Sequence, residues 1–170
     1  VLTKSFGYNL LKGNNPELKV EGSDEFIQKK YAKNLTIKAD NKYEIELDNF
    51  YKKEAFQIIK NNPLIYLKQY FKKVFAFIFL FFNSSYPNYF NFLHIAPKLI
   101  LSIFSFIGGI VSLKKKGFFQ YLGLYYFSNI FLFSIFFILP RYSLILLPVQ
   151  LLLFVEGIKY LRRKLFYQFK

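Results

Sequence analysis

The sequence predicts an all-α integral membrane protein, with three spans plus an interfacial or re-entrant helix, carrying a small extracytoplasmic head of mixed α/β structure. Three observations predict it. Hydrophobic residues make up 54% of the 170 residues and aromatics 22%, which is too apolar for an intrinsically disordered chain. Nine of the ten acidic residues lie between Glu17 and Glu54, against 11 lysines in residues 1–60. Residues 61–170 hold 13 Lys and Arg against Glu156 alone, together with 20 of the 24 phenylalanines. A polar head is therefore joined to an apolar, basic body, which excludes a simple soluble globule.

The head, residues 1–62, reads as small mixed elements. Gly7, Gly13, Asn14, Asn15 and Pro16 predict a turn-rich opening. Ser23 is placed to cap a short helix to about Asn34 that carries Phe26, Ile27 and Tyr31. Leu35–Ala39 and Tyr43–Leu47 alternate around Asp40-Asn41, a pattern compatible with a hairpin. Asp48 is placed to cap a helix to Lys60, with Tyr51, Ala55, Ile58 and Ile59 on one face.

Residues 63–92 form the interfacial part. Asn62 and Pro63 suit a helix start. Leu64, Leu67, Phe71, Val74, Phe75 and Ile78 make an apolar stripe, with Lys68, Lys72 and Lys73 beside it. Spanning the bilayer would place Lys72 and Lys73 at mid-depth, at about 2.5–3.5 kcal/mol each. An amphipathic helix in the interface is cheaper, followed by a returning segment at 83–92 that lies beside a cavity.

Three stretches can then cross a bilayer, which needs about 20 apolar residues. They are 93–113, 118–139 and 142–158, of which 118–139 has no charge. The pair Gly108-Gly109 suits close approach of a neighbouring helix. Lys114-Lys115-Lys116 and the tail with Lys159, Arg162, Arg163, Lys164 and Lys170 fall on one side if the intervening spans form a hairpin. By the positive-inside rule that side is cytoplasmic, which places Pro140-Arg141 and the head outside a multi-pass chain of the cytoplasmic (inner) membrane. The absence of Met and of a signal peptide predicts a start further upstream.

Chemistry-bearing motifs are sparse. There is no phosphate-binding glycine loop, nucleophile elbow or His-rich cluster, and no Cys; no cofactor or metal site is identified and no catalytic residue is assigned. The formal charge of +14 is compatible with an anionic partner, yet its cations flank apolar stretches, where membrane topology and anionic lipid account for them better than nucleic acid. His94 reads as an interfacial residue, with a general base as the minority reading. Arg141, after Pro140 at the outer hairpin tip, stands where a lipid phosphate would lie, and guanidinium grips phosphate bidentately; an interfacial anchor beside Tyr142 is the equal alternative. Tyr86-Pro87-Asn88-Tyr89 is either a turn with aromatic anchors or part of a cavity wall.

Gly7-Tyr8-Asn9-Leu10 with Gly13-Asn14-Asn15-Pro16 resembles the extracytoplasmic segment of bacterial dolichyl-phosphate-mannose-protein mannosyltransferase-like proteins, GT-C glycosyltransferases of the family-39 type. Asp48–Lys60 with Asn61-Asn62-Pro63 and Lys72-Lys73, then Ser84–Tyr89, then Pro140-Arg141-Tyr142 through Pro148 are similar to further segments of that family, in the same order. The resemblance spans nearly the whole chain, as the family's C-terminal portion, and implies a partial GT-C fold. It also implies transfer of a sugar from a polyprenyl-phosphate carrier to an acceptor at the extracytoplasmic face. The family's catalytic acid lies on an earlier loop that this chain lacks, so the chain alone is expected to be inactive. On this reading Arg141 contacts the carrier phosphate, and Asn14, Asn15, Tyr86 and Asn88 line the acceptor or carrier cavity. The loop at 83–89 departs from relatives in lacking acidic and Trp residues. The competing class is a non-enzymatic multi-pass subunit, flippase-like or assembly, of a cell-envelope polysaccharide system.

Overall fold

The computed structural model describes residues 5–31, 42–81, 84 and 89–168. Seven α-helices follow one another among them: α1 (Phe6–Gly13), α2 (Asp24–Tyr31), α3 (Tyr43–Asn61), α4 (Pro63–Ile78), α5 (Phe92–Leu113), α6 (Phe118–Phe133) and α7 (Leu147–Gln168). A 3-10 helix, Pro140–Leu146, leads into α7. The chain divides into two compact units, Val1–Lys73 with Phe133–Ile138, and Val74–Leu132 with Leu139–Lys170.

The first unit is helical where the sequence suggested mixed structure. No strand occurs among the described residues. Tyr43–Leu47, expected as a strand, forms the first turns of α3; its alternation is short, and Tyr51, Ala55 and Ile58 extend a helical period that captures it. The partner strand, Leu35–Ala39, lies outside the described residues. Of the expected turn-rich opening, Gly7 and Gly13 lie in helix α1, which buries Leu10 and Leu11 against Ile27, Tyr31, Tyr51 and Ala55, while Asn14, Asn15 and Pro16 form the turns that follow it. The α2 expectation holds through Tyr31, with Ser23 Oγ accepting the Phe26 N–H at 3.3 Å as an N-cap.

Asp48 does not begin its helix but lies inside α3, where its carboxylate accepts the Gly7 N–H at 2.6 Å. It thereby satisfies one of the unpaired donors at the start of α1 from a neighbouring helix. This contact needs glycine at position 7, because a Cβ there would overlap the Asp48 carbonyl oxygen and the Lys52 backbone nitrogen.

The second unit contains two helical stretches long and apolar enough to cross a membrane, Phe92–Leu113 and Arg141–Leu165. Asn91 caps the first by accepting the Leu93 N–H at 3.0 Å. Its buried face is a column of small residues, Ser102, Ser105, Gly108, Gly109 and Ser112, of the kind that lets helix backbones approach without lipid between them. A Cβ at Gly108 would overlap the Leu153 carbonyl of α7, and one at Gly157 the Phe104 carbonyl of α5. Glu156 of α7 is buried and paired with Lys115, from the α5–α6 turn, and with Lys159. The basic turn and the basic end of α7 therefore meet at one end of this unit, as a hairpin requires.

The uncharged stretch 118–139 is not one helix. α6 ends at Phe133 after 16 residues, about 24 Å at the α-helical rise and short of the ~30 Å hydrocarbon layer. Residues 133–138 leave it to join the first unit, where the Ile138 N–H donates to Val20 O at 3.0 Å. Their apolarity serves a protein core, a use that hydropathy alone does not distinguish from lipid contact.

Both glycine contacts are testable. Gly7→Ala should destabilise the first unit and Gly108→Ala the α5–α7 pair, each by roughly 1–3 kcal/mol from overpacking. The check is the denaturation midpoint of each variant in detergent, with Gly117→Ala, whose added Cβ meets nothing within 4 Å, as the comparison for open space with its own backbone cost.

Candidate functional site

The most concentrated polar cluster in the first unit forms where α1 ends. Asn14 follows Gly13 and closes the helix, its backbone N–H donating to Leu10 O and Leu11 O. Its side-chain Nδ2 donates to Leu10 O at 2.8 Å and to Ile135 O at 3.1 Å. From α4, Gln69 Nε2 donates to Gly13 O at 3.1 Å. Lys73 Nζ, one helical turn on, donates to Gly13 O at 3.2 Å, Asn14 Oδ1 at 3.3 Å and Ile135 O at 3.3 Å.

Lys73 is thus a fully buried ammonium with three neutral acceptors and no carboxylate among its hydrogen-bond partners. Burial pushes its pKa down to about 7, since removal from water disfavours the charged form. Its 0% exposure keeps it from any substrate in this conformation. What the arrangement does is tie three separate segments, 13–14, α4 and 133–138, to one side chain. Gln69 Oε1, also buried, has no hydrogen-bond partner among the described residues.

The candidates read from the sequence separate. Asn14 belongs to this cluster. Asn15 is fully buried, but its side chain shapes the adjoining turn, donating to Lys12 O and Lys19 O and accepting the Lys19 N–H. Tyr86 and Asn88 lie outside the described residues, as does half of the returning segment expected beside a cavity. Arg141 lies in the second unit, in the 3-10 helix that opens the apolar stretch Arg141–Leu165, and is exposed. No ion pair engages it among the described residues. His94 stands edge-on to Tyr89, with ring centroids 5.7 Å apart. Lys98 donates to the same Tyr89 hydroxyl at 3.2 Å.

Sequence reasoning missed Gln69 and the burial of Lys73. The signal was present in helical register: Tyr66, Gln69, Lys73 and Phe77 recur at three or four residues and all are buried. The opposite side of α4 carries the expected apolar stripe, with Leu64, Leu67 and Phe71 exposed by 79%, 52% and 58%, but at its end Val74 is half-buried and Ile78 buried. Lys68 and Lys72 flank that stripe and are exposed, whereas Lys73 is turned half-way round the helix from Leu64. No group of three or more His, Cys, Asp or Glu side chains that could hold a metal occurs among the described residues.

Comparison with protein-family models, with curated proteins and with solved structures finds no match.

The burial of Lys73 fixes a pH dependence. Its folded pKa is below its unfolded value of 10.5, so between the two the unfolded chain binds more protons. Stability should therefore rise with pH from about 7 upward, approaching about 1.4 kcal/mol per pH unit, and be lost as pH falls back through the folded value. Denaturant midpoints between pH 7 and 9 in detergent should display that slope in the native chain and its removal in Lys73→Met. A slope unchanged by Lys73→Met would contradict the assignment.

Proposed function

We propose that the chain is a membrane-embedded part of a glycosyltransferase that moves a sugar from a polyprenyl-phosphate carrier to an acceptor at the extracytoplasmic face. The observation that carries this reading is Arg141: an exposed cation without an ionic partner among the described residues, at the start of an apolar stretch of 25 residues. In a bilayer such a residue lies at head-group depth, where a carrier phosphate also lies, and its guanidinium has donors to spare. Glu156, which pairs with Lys115 and Lys159, lies 15 residues further along, about 23 Å at the α-helical rise, which separates the two ends by nearly a hydrocarbon thickness. The excess of cations at the Glu156 end favours the cytoplasm for that end and the outer face of the inner membrane for Arg141.

On this reading α4 lies in the membrane interface. Leu64, Leu67 and Phe71 point away from the protein, as an in-plane helix demands. The inward turn of Lys73 also removes one of the cations that would oppose an extracytoplasmic location. The chain supplies carrier binding and membrane anchorage; the base that activates the acceptor hydroxyl comes from the rest of the enzyme.

Arg141→Ala in the full-length enzyme should raise the KM for the lipid-linked donor roughly tenfold to a hundredfold, the equivalent of a lost hydrogen-bonded charge contact of about 1.5–3 kcal/mol. Arg141→Lys should recover part of it. Donor dependence unchanged in Arg141→Ala removes Arg141 from the site. Absence of transfer from any polyprenyl-phosphate sugar favours the non-catalytic envelope subunit.

A further inference from the structure

We propose that the outward face of α4 is a docking surface for anionic phospholipid: Leu64, Leu67 and Phe71 enter the acyl boundary while Lys68 and Lys72 hold head-group phosphates. The proposal rests on the membrane reading above and adds to it the class of lipid recognised.

Burial and charge together point to that occupant. Leu64, Leu67, Phe71 and Phe75 recur at three- and four-residue spacing on one side of α4, and each is exposed by 44% or more. Four large side chains left in water at successive turns make a contiguous apolar face, the kind of surface that marks a binding site. Along its edge stand Lys68 and Lys72, with Lys60 in the last turn of α3 just before it. α4 itself contains no Asp or Glu.

Four acids of the same unit are committed elsewhere: Asp24 pairs with Lys12, Glu17 with Lys19, Glu25 with Lys29 and Glu54 with Lys30. None of these four ion pairs reaches Lys60, Lys68 or Lys72. The face is therefore apolar in the middle and cationic at the margin. Lysine stems are long enough to lie along apolar surface and raise their ammonium groups to a layer of phosphates. A second copy of the chain fits this face poorly, because a two-fold pairing of α4 would set Lys68 and Lys72 against their own equivalents.

The test uses the whole chain reconstituted into phosphatidylcholine vesicles, with or without phosphatidylglycerol, and spin-labelled lipids of each class. Labelled phosphatidylglycerol should be enriched at the protein over labelled phosphatidylcholine, and salt should reduce the enrichment. Each of Lys68→Gln and Lys72→Gln should lower the relative association constant about fivefold, the equivalent of ~1 kcal/mol per surface lysine. Lys53→Gln, at an exposed position of α3, should leave it unchanged, which separates a local site from the chain's general positive charge. Enrichment indifferent to Lys68 and Lys72 overturns the lipid site while leaving the membrane reading intact. Failure of the chain to enter even the neutral vesicles overturns both. Disulfide-linked dimers from Phe71→Cys, forming equally in either lipid, would assign the face to a second copy and overturn the proposal.

Discussion

The first unit depends on the direction in which α4 points its one buried cation. An ammonium removed from water is costly unless its donors are met, and Lys73 meets three acceptors, the carbonyls of Gly13 and Ile135 and the Asn14 amide oxygen. Those acceptors come from two segments more than a hundred residues apart in sequence, so the side chain fixes where 133–138 rests against the end of α1. Once Lys73 and Gln69 face inward, helical geometry leaves no freedom for Leu64, Leu67 and Phe71, which must face out. The buried side of α4 thus mixes Gln69 and Lys73 with Tyr66 and Phe77, while Leu64, Leu67 and Phe71 stand outside beside Lys68 and Lys72. The exposure of Leu64, Leu67 and Phe71 is what the proposed interfacial placement of α4 rests on.

The second unit solves a different problem. Close backbone packing holds its two long apolar helices together, the kind of contact that also drives helix association in lipid. Gly108 and Gly157 set α5 and α7 against each other's carbonyls, and the serines above and below keep that seam narrow. Glu156 then fixes the register at one end through Lys115 and Lys159. This pairing brings together cations whose position in the sequence suggested a shared side of the membrane, and it leaves Arg141 at the far end of the same apolar stretch without an acid.

Much of this was legible in the sequence, for local reasons. The helix after Ser23, the helix start at Pro63, the close approach at Gly108 and the apolar stretches 93–113 and 142–158 each follow from a cap, a proline, a glycine pair or a run of hydropathy. What escaped depends on contacts distant in sequence. Gly7 looks like a turn residue until α3 crosses it. Asp48 looks like a cap for its own helix but serves α1. Residues 133–138 have the composition of a span yet are claimed by the core of the head. Lys73 looks the same as Lys72 in a list of basic residues, and only the 100° step between them sends one into the protein and the other outward. Of the site residues, Asn14 lies in the buried cluster around Lys73, Asn15 shapes a turn, and Arg141 is exposed in the 3-10 helix before α7.

The central claim is that α4 turns Lys73 inward and Phe71 outward, and the chain has no Cys, so single thiols report on it directly. With Phe71→Cys and Lys73→Cys made separately in the bilayer-reconstituted protein, a fluorescent label at position 71 should be quenched by a lipid-borne quencher near the head groups. Position 73 should resist labelling until the protein is unfolded. Ready labelling at 73 by a water-soluble reagent, with position 71 shielded from both lipid quencher and reagent, would contradict the account.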